Sequence, residues 1–313
     1  MEIRRKIELA GVALLAVVFI VPIISLAGGT KEIFVDDGAS GDQDGTYSHP
    51  YSTIGKAIEK AEGKTKIIVR KGVYKENIVI PRDVKISGSD NKKVTIQGKD
   101  NDKPTVTMGN KTELTDVTVT DGKNGILVKN SNKKGEITVS NCLIKNAKSD
   151  GIKILEGSRD SDRKVNIVES KIYSNGKSGI YSEKRRLVIL DNEIFENDLD
   201  GIDIEESANV YIAKNEINQN DGVGVKLRLD NTNATVIKNS FYKNERDAVE
   251  IKSRGKIGAI IIRNNKFVKN DGYGIARVLK NAVGYMDFRG LSIDKNNVFS
   301  QNKKGTISAI IKN

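Results

Sequence analysis

A short pattern, Asn-x-φ-x-x-Asn with φ a large apolar residue, recurs between residues 141 and 302 and constrains the fold more than any other feature. Six copies are complete, and a seventh has Ser in place of the first Asn. The copies begin 22 to 32 residues apart, at Asn141, Ser170, Asn192, Asn215, Asn239, Asn265 and Asn297. A unit this short cannot bury its own apolar face, so copies must stack on one another in a solenoid.

A small residue follows each copy after three to five positions, and apolar and polar residues then usually alternate, as in Ile202-Asp203-Ile204. The small residues are Gly151, Gly179, Gly201, Gly224, Ala248, Gly274 and Gly305. The alternation predicts strands that start at a glycine corner, and the Asn pairs predict turns. We expect the Asn side chains to stack in a row, with Asn in left-handed backbone and Gly where other residues would be strained.

The aliphatic composition favours strands throughout the repeats. From Thr30 onward the chain has 34 Ile and 23 Val but 11 Leu, and β-branched residues suit strands better than helices. A leucine-rich repeat is the strongest rival, because Val210-x-Ile212-x-x-Asn215-x-Ile217 imitates its strand signature. That fold needs a Leu-rich helical return, whereas the return here is a second Ile/Val alternation. The pattern therefore predicts a strand solenoid of about ten coils.

The N-terminus carries a targeting segment, residues 1–30. Residues 9–30 contain no charged side chain and follow Arg4, Arg5 and Lys6. Such a run is long enough to span a bilayer, and the basic cluster before it should stay cytoplasmic. Small residues near Ser25 and Ala27 also fit a signal-peptidase site, so a retained anchor and a cleaved signal peptide both remain open. Either way, we expect the body to be exported and to lie at the cell surface or be secreted.

The net charge of +11 points to polyanionic partners or simply to solubility, and the sequence leaves both open. Residues 1–29 carry three basic and two acidic side chains, which leaves +10 for the body. Cys142 is the single cysteine, so no intramolecular disulfide can form. Basic residues are not interleaved with aromatic platforms, so we expect no nucleic-acid partner. The oligomeric state is open.

The repeats resemble those of pectin-lyase-like right-handed parallel β-helix proteins, from about Ile33 to the C-terminus. The most specific residues are Phe34-Val35-Asp36-Asp37-Gly38, Asp44-Gly45-Thr46, His49-Pro50-Tyr51-Ser52-Thr53-Ile54 and Ile67-Ile68-Val69 through Gly72-Val73-Tyr74 to Glu76-Asn77-Ile78. They are similar to a domain of unknown function in exported β-helix proteins. The resemblance implies an all-β, right-handed, single-stranded parallel β-helix over 31–313, with an N-terminal module and cap at 31–80 and coils at 81–313.

A short capping helix is predicted inside that module. Ser52 or Thr53 can cap its start, Ile54 and Ala57 share its apolar face, and Gly63 ends it. The helix would cover the open first coil, as the end of a solenoid requires.

The resemblance also implies that a substrate lies along the strands after the glycine corner. Outward side chains two residues past the corner would form one row, namely Lys153, Tyr181, Asp203, Lys226 and Glu250. A second row, two residues further on, would hold Glu183, Glu205, Arg228 and Lys252. We expect a polar polymer to bind at Lys153, Tyr181, Lys226, Arg228, Glu250 and Lys252. The alternative is that charged residues occupy these positions only because solvent is there.

The segment Asp198-Leu-Asp200-Gly-Ile-Asp203 followed by Asp221 resembles the polygalacturonase pattern, in which carboxylates activate a water. The resemblance implies Asp200, Asp203 and Asp221 as catalytic candidates, because inverting glycoside hydrolysis needs two separated carboxylates. The family's paired Asp is here Asp221-Gly222, and its His and Arg-x-Lys have no counterpart. A lyase would need a base and cations instead. The candidates are Arg228, Arg246, Arg254, Asp200, Asp221 and Asp247, with Ca²⁺ as a cofactor.

No metal site and no other cofactor is predicted. Asp42-Gln-Asp44-Gly45 superficially resembles a calcium loop but lacks the remaining ligands of an EF-hand. The leading hypothesis is an exported, membrane-anchored β-helix that binds an extracellular polymer, most readily an acidic polysaccharide. A polysaccharide lyase or glycoside hydrolase on uronic-acid polymers is the first alternative, and a non-catalytic structural or adhesive surface protein is the second.

Overall fold

The computed structural model describes residues 30–130, 134–157, 164–205, 208–228, 231–253, 258–279, 288 and 290–312. Residues 1–29 lie outside this set, and so does nearly all of the predicted anchor at 9–30. Within the described ranges, no helix has the length and apolar character needed to cross a bilayer.

Three parallel sheets run the length of the described chain, and each coil contributes one strand to each sheet in turn. The first sheet has eleven strands, Lys31–Val35, Thr65–Val69, Val84–Gly88, Thr112–Thr115, Ile137–Ser140, Val165–Val168, Arg186–Leu190, Asn209–Ala213, Asn233–Ile237, Ile260–Arg263 and Leu291–Ile293. The second has ten, Gly72–Lys75, Val94–Gln97, Thr118–Thr120, Leu143–Lys145, Lys171–Tyr173, Glu193–Phe195, Glu216–Asn218, Ser240–Tyr242, Lys266–Val268 and Val298–Ser300. The third has ten, Ile78–Ile80, Val106–Met108, Ile126–Val128, Ile152–Ile154, Ile180–Ser182, Ile202–Ile204, Val225–Arg228, Val249–Ser253, Tyr273–Leu279 and Gly305–Lys312.

This arrangement confirms the predicted parallel β-helix. Every strand pairs in parallel with strands of adjacent coils, so that Ile180, Ile202 and Val225 lie directly above one another. Such columns of Ile and Val form one continuous core, in which Phe241 and Phe267 stack with their ring centroids 5.1 Å apart. The leucine-rich repeat is wrong, because the described chain returns through strands and not through helices.

Two ladders of Asn side chains, all buried except the half-buried Asn302, hold the turns on either side of the second sheet. The ladder that enters the sheet contains Asn192, Asn215, Asn239, Asn265 and Asn297. The ladder that leaves it contains Asn175, Asn197, Asn220, Asn244, Asn270 and Asn302. In each, an Nδ2 donates to the Oδ1 of the next coil at 2.9 to 3.1 Å, which confirms the predicted stacking.

The ladder begins one residue later in the first copy than the sequence pattern predicts. Ile144, and not Leu143, pairs with Ile172 in the core. Cys142 and Ala147 therefore occupy the ladder positions, where their backbone amides donate to Ser170 Oγ and Asn175 Oδ1, both at 3.1 Å. Asn141 and Asn146 stand one position before the ladders.

The left-handed residue lies directly before the ladder Asn at every ladder position except Asn297. The predicted left-handed backbone is therefore wrong for the Asn residues of the ladders, but it is present at Asn141 and Asn146, with φ of 49° and 57°. Lys214 precedes Asn215 with φ of 55°, and Gln219 precedes Asn220 with φ of 54°. Asn stays in the ladder because its amide is buried and fully bonded, whereas exposed residues of several types tolerate the left-handed conformation.

Glycine recurs at the corners because the space there is too small for a Cβ, and not because the backbone needs a left-handed conformation. A Cβ on Gly201 would lie 2.7 Å from Gly224 O, 2.8 Å from Ile217 Cγ2 and 3.0 Å from Asn220 Nδ2. The prediction that Gly305 is a corner residue is wrong, because Gly305 pairs with Tyr273 and Thr306 lies opposite Gly274.

The predicted N-terminal cap is present as a helix at Ile54–Glu59, with Lys60 as its C-cap, so the helix ends before the predicted Gly63. Thr53 accepts from Lys56 N, and Glu76 accepts from Ile54 N and Gly55 N at 2.9 and 2.8 Å. Ile54 and Ala57 are buried against the first strands. The helix thus covers the N-terminal end of the core.

Candidate functional site

The outward side chains of the third sheet form the row that the sequence predicts. Strand register places Lys153 beside Tyr181, Tyr181 beside Asp203, Asp203 beside Lys226 and Lys226 beside Glu250. Each comes from a different coil, because alternate residues of a strand point to opposite faces. We call this the third-sheet row.

The second predicted row lies alongside and is held by ion pairs. Arg228 Nη1 contacts Glu205 Oε2, and Arg228 stands beside Lys252 in the sheet. Tyr181 OH donates to Glu183 Oε1 at 2.8 Å. Tyr181, Glu183, Glu205 and Arg228 help line a shallow depression of about 290 Å³. The two rows therefore share one concave surface.

Lys226 stands at the centre of this surface between two carboxylates. Its Nζ lies 2.9 Å from Asp200 Oδ2 and 3.0 Å from Asp203 Oδ2. Burial alone would lower the pKa of Lys226, but the Asp200 and Asp203 carboxylates together raise it above its usual value. Lys226 is thus positively charged and paired with two carboxylates of the same chain.

Asp203 keeps one oxygen without a partner. Its side chain is 11% exposed, and within the described chain no donor reaches Oδ1. Burial raises the pKa of Asp203; Lys226 lowers it and Asp200 raises it. A buried acceptor of this kind is costly unless a ligand or water donates to it.

Asp200 accepts a hydrogen bond from the backbone of the turn on the next coil, where Gly222 leaves the space that the Asp200 carboxylate occupies. Its Oδ1 accepts from Val223 N at 2.8 Å, and a Cβ on Gly222 would lie 2.5 Å from that oxygen. The same device recurs two coils later, where Asp247 Oδ1 accepts from Tyr273 N at 2.6 Å.

Asp221 lies in a different row from Asp200. Its backbone amide donates to Asn197 O, just as the backbone amide of Asp198 donates to Asn175 O one coil earlier. Asp221 therefore corresponds to Asp198, and its side chain is exposed at the outside of the turn. The structure therefore brings Asp200 and Asp203 together around Lys226 but leaves Asp221 apart from them.

The other predicted residues are also tied to neighbours. Glu250 is 3% exposed, with Lys252 Nζ 3.0 Å from Oε1 in an ion pair that lacks hydrogen-bond alignment. Arg246 Nη2 lies 3.9 Å from Glu250 Oε2. Lys153 Nζ lies 5.1 Å from the Tyr181 ring centroid. Arg254 is outside the described residues.

Metal ligands do not gather in the described ranges, where no three His, Cys, Asp or Glu side chains stand close enough to hold an ion. In the loop that superficially resembles a calcium site, Asp44 Oδ1 accepts from Thr46 N at 2.9 Å. This hydrogen bond lowers the pKa of Asp44 and is ordinary turn chemistry.

The sequence analysis did not predict another row of outward side chains, which lies on the second sheet. Tyr173, Phe195 and Tyr242 belong to it, and the Tyr173 and Phe195 rings stack with their centroids 4.8 Å apart. The signal was present, because each aromatic residue directly follows φ in the Asn-x-φ-x-x-Asn pattern.

Known proteins share this architecture. Residues 158–310 match the family model described as right handed beta helix region. A stretch of 70 residues is 34% identical to the uncharacterized protein YwoF of Bacillus subtilis (strain 168), and it spans 22% of this chain and 14% of that protein.

Solved structures extend the likeness along most of the chain. Pectate lyase Pel9A is 14% identical, with 90% of this chain and 78% of that chain covered at a TM-score of 0.57. The alginate lyase from Paenibacillus sp. str. FPU-7 is 12% identical, with 82% and 96% covered at 0.59. XylC in complex with xylose is 14% identical, with 81% and 67% covered at 0.58. At such identities the likeness is one of fold.

Proposed function

We propose, on the premise that this chain is a right-handed parallel β-helix, that it binds a polysaccharide along the outer face of the third sheet, outside the cell. The residues that would contact the sugars are Lys153, Tyr181, Asp203, Lys226, Arg228, Glu250 and Lys252. The proposal is one of binding without turnover, and its preferred ligand is an acidic polysaccharide.

The observation that carries the proposal is the unpartnered Asp203 Oδ1 at the centre of a row of polar side chains. Sugar hydroxyls donate hydrogen bonds, and a sugar residue over Asp203 and Tyr181 would satisfy this buried oxygen once the Asp203 side chain turns toward it. The partly buried Tyr181 ring adds an apolar surface for the C–H groups of a sugar. A polymer that runs along the solenoid would meet one such position on each coil.

Similar structures support a carbohydrate ligand. Two of those described above are a pectate lyase and an alginate lyase, and the third holds xylose. The preference for an acidic polymer rests on the charge of the body, which carries +10 of the net +11. Export rests on the apolar run at 9–30 and the basic residues before it.

A glycan array tests the proposal. We expect the wild type to retain one class of glycan, and Asp203→Asn combined with Tyr181→Ala to weaken that binding by about tenfold or more. Thr235→Ala, on the outer face of the first sheet, is the matched control and should bind like the wild type. Failure of the wild type to bind any glycan, with recovery of a protein partner instead, would leave the structural or adhesive alternative.

Catalysis on the same surface is a second candidate, favoured by the raised pKa of Asp203. A buried carboxyl that holds its proton at higher pH is suited to donate it to a leaving oxygen. Incubation with polygalacturonate or alginate separates the two candidates. Unsaturated uronates would show a lyase, new saturated reducing ends would show a hydrolase, and intact polymer is expected for a binding protein.

A further inference from the structure

A row of half-buried side chains runs along the outer face of the second sheet, away from the surface described above. Strand register places one residue of each coil in this second-sheet row, namely Lys145, Tyr173, Phe195, Asn218, Tyr242 and Val268. All six are half-buried, and three of them are aromatic. The row is therefore an amphipathic stripe along the solenoid.

The aromatic rings in the row are ordered by contacts with each other and with lysines. Tyr173 and Phe195 stack with an interplanar angle of 3°, and Lys145 Nζ lies 5.8 Å from the Tyr173 ring centroid. Further along, Lys243 Nζ lies 5.1 Å from the Tyr242 ring centroid. The row thus combines flat apolar groups with cations at the same positions.

A notch interrupts the row at Asn218, between Phe195 and Tyr242. The two aromatic residues are separated by two coils, which is roughly 9.6 Å at the usual strand spacing. A flat ring held between two others needs roughly 8 Å, at about 4 Å for each contact. The notch is therefore wide enough for one sugar ring, with the Asn218 amide at its floor.

Exposed lysines surround the C-terminal side of the notch. Lys238 and Lys243 flank the strand that carries Tyr242, and Lys266 and Lys269 flank Val268 on the next coil. None of the four forms an ion pair with any residue that the structure describes. Two acidic side chains also lie close by: Glu216 is on the same strand as Asn218, and Glu196 is on the coil before the notch.

The outer face of the third sheet differs in this respect, because its central cations already have acidic partners, while Lys153 lies over the Tyr181 ring. Lys226 contacts Asp200 and Asp203, while Arg228 contacts Glu205. A carboxylate or sulfate on a ligand would have to displace those partners. Among the described residues of these two faces, the larger group of lysines without an ion pair therefore lies on the second sheet.

We propose that the second-sheet row is a binding site for an acidic polysaccharide, a polyuronate or a sulfated glycan. One sugar ring enters the notch over Asn218, and the acid groups of the polymer contact Lys243, Lys266 and Lys269. This inference rests on the proposed function for the class of ligand, and it adds a second face of the solenoid as the place where the acid groups of the polymer are bound.

The geometry favours a polysaccharide over single-stranded nucleic acid. Successive nucleobases need successive open aromatic faces. Tyr173 and Phe195 cover each other's faces and present their edges, so the row offers one open notch and not a series of platforms. A polysaccharide that lies lengthwise needs only the notch and the cations beside it.

Two variants remove the site without disturbing the turns. Tyr242→Ala removes one wall of the notch. Lys243→Gln with Lys269→Gln removes two charges at a turn position where Gln219 and Gln301 already occur in left-handed backbone. Lys92→Gln with Lys123→Gln removes the same charge from distant, exposed positions and is the matched control.

Binding of the full chain to polygalacturonate, heparin and neutral dextran is then measured at low and high salt. We expect both variants to lose about tenfold or more in affinity for the two acidic polymers, the control to match the wild type, and salt to weaken binding. Unchanged circular dichroism and denaturation midpoints show that the variants fold.

The outcomes that overturn the inference are distinct from those that overturn the proposed function. If both variants bind polygalacturonate like the wild type while Asp203→Asn loses binding, the acidic polymer lies on the third sheet and only this inference fails. If the wild type binds no polysaccharide, both fail. Stronger binding to single-stranded DNA or to anionic lipid vesicles than to any glycan would also overturn the inference.

Discussion

Asn220 shows at the scale of one residue how the ladders hold the coils together. Its Nδ2 donates to Asn244 Oδ1 at 2.9 Å and to Ile194 O at 3.2 Å. Its Oδ1 accepts from Asn197 Nδ2 at 2.9 Å and from Asn197 N at 3.2 Å. One side chain thus joins the coil before it to the coil after it. Shorter or differently shaped side chains cannot make both sets of bonds.

Asn220→Ala should lower the free energy of unfolding by about 2–3 kcal/mol, because it leaves the Asn197 amide without its acceptor and opens a small cavity. Urea denaturation followed by circular dichroism measures the change. Glu216→Ala, an exposed position on the neighbouring strand, is the control and should alter stability by less than about 0.5 kcal/mol. Equal effects of the two substitutions would contradict a structural role for the ladder.

The raised pKa of Asp203 predicts a pH dependence of stability. The folded protein holds the Asp203 proton to higher pH than the unfolded chain does, so the contribution of Asp203 to stability falls as pH rises from its ordinary value through the raised pKa. Asp203→Asn has no such proton. The unfolding free energy of the wild type relative to this variant should therefore decrease across the acidic range and then level off.

Denaturant titrations of both proteins between about pH 3 and pH 7 measure that difference, a range that brackets ordinary and raised carboxyl pKa values. Thr235→Ala, which changes no ionisable group, should differ from the wild type by the same amount at every pH. A relative stability that rises with pH would show that Lys226 outweighs burial at Asp203.

At the scale of the element, the turn between the second and third sheets is an Asp–Gly unit shared by adjacent coils. Asp200 reaches across to Val223 N through the space left by Gly222. Asp247 reaches Tyr273 N past Gly272 in the same way. The Asp200 carboxylate, which suggests catalysis when its coil is considered alone, therefore makes a structural contact that recurs along the solenoid.

Gly222→Ala and Gly272→Ala should each destabilise the protein by about 1–3 kcal/mol, because the added Cβ collides with the Asp carboxylate of the preceding coil. Thermal unfolding measures both. Gly109 is the control, because a Cβ added there would lie 3.6 Å from its nearest neighbour, Ile80 O, and would fit. Gly41 is unsuitable, because its φ of 74° would strain any other residue. Gly109→Ala should therefore cost less than either.

At the scale of the whole molecule, the solenoid is stabilised coil by coil, and its N-terminal end is closed by the helix Ile54–Glu59. Contacts join each strand mainly to the strands directly above and below it. Loss of the cap should therefore loosen the nearest coils first and leave distant coils intact.

Glu76→Ala removes the carboxylate that accepts from Ile54 N and Gly55 N, and it should weaken the cap by about 1–2 kcal/mol. Hydrogen exchange should become faster at Ile33–Val35 and Ile67–Val69 and stay unchanged at Ile260–Ile262. Glu59→Ala, which removes only an exposed contact with Lys56, is the control. Faster exchange along the entire rod would show that the molecule unfolds as one unit instead.

The amino-acid sequence by itself determined the stacking. Repeats of 22 to 32 residues with paired Asn and β-branched cores have no other way to bury their apolar faces, so the parallel coils, the Asn rows and the order of the third-sheet row all follow from the pattern. The capping helix follows in the same way from its polar cap and apolar face.

Only the tertiary structure decided which outward residues meet, because those contacts join side chains that are a full coil apart and depend on register. In the first copy, a shift of one residue puts Cys142 and Ala147 in the ladders. Register likewise places Asp221 at the position of Asp198 and apart from Asp200. Ion pairs such as Lys226 with Asp203 also arise only when neighbouring coils are in place. The core is specified by residue type alone, whereas the surface is specified by residue type and register together.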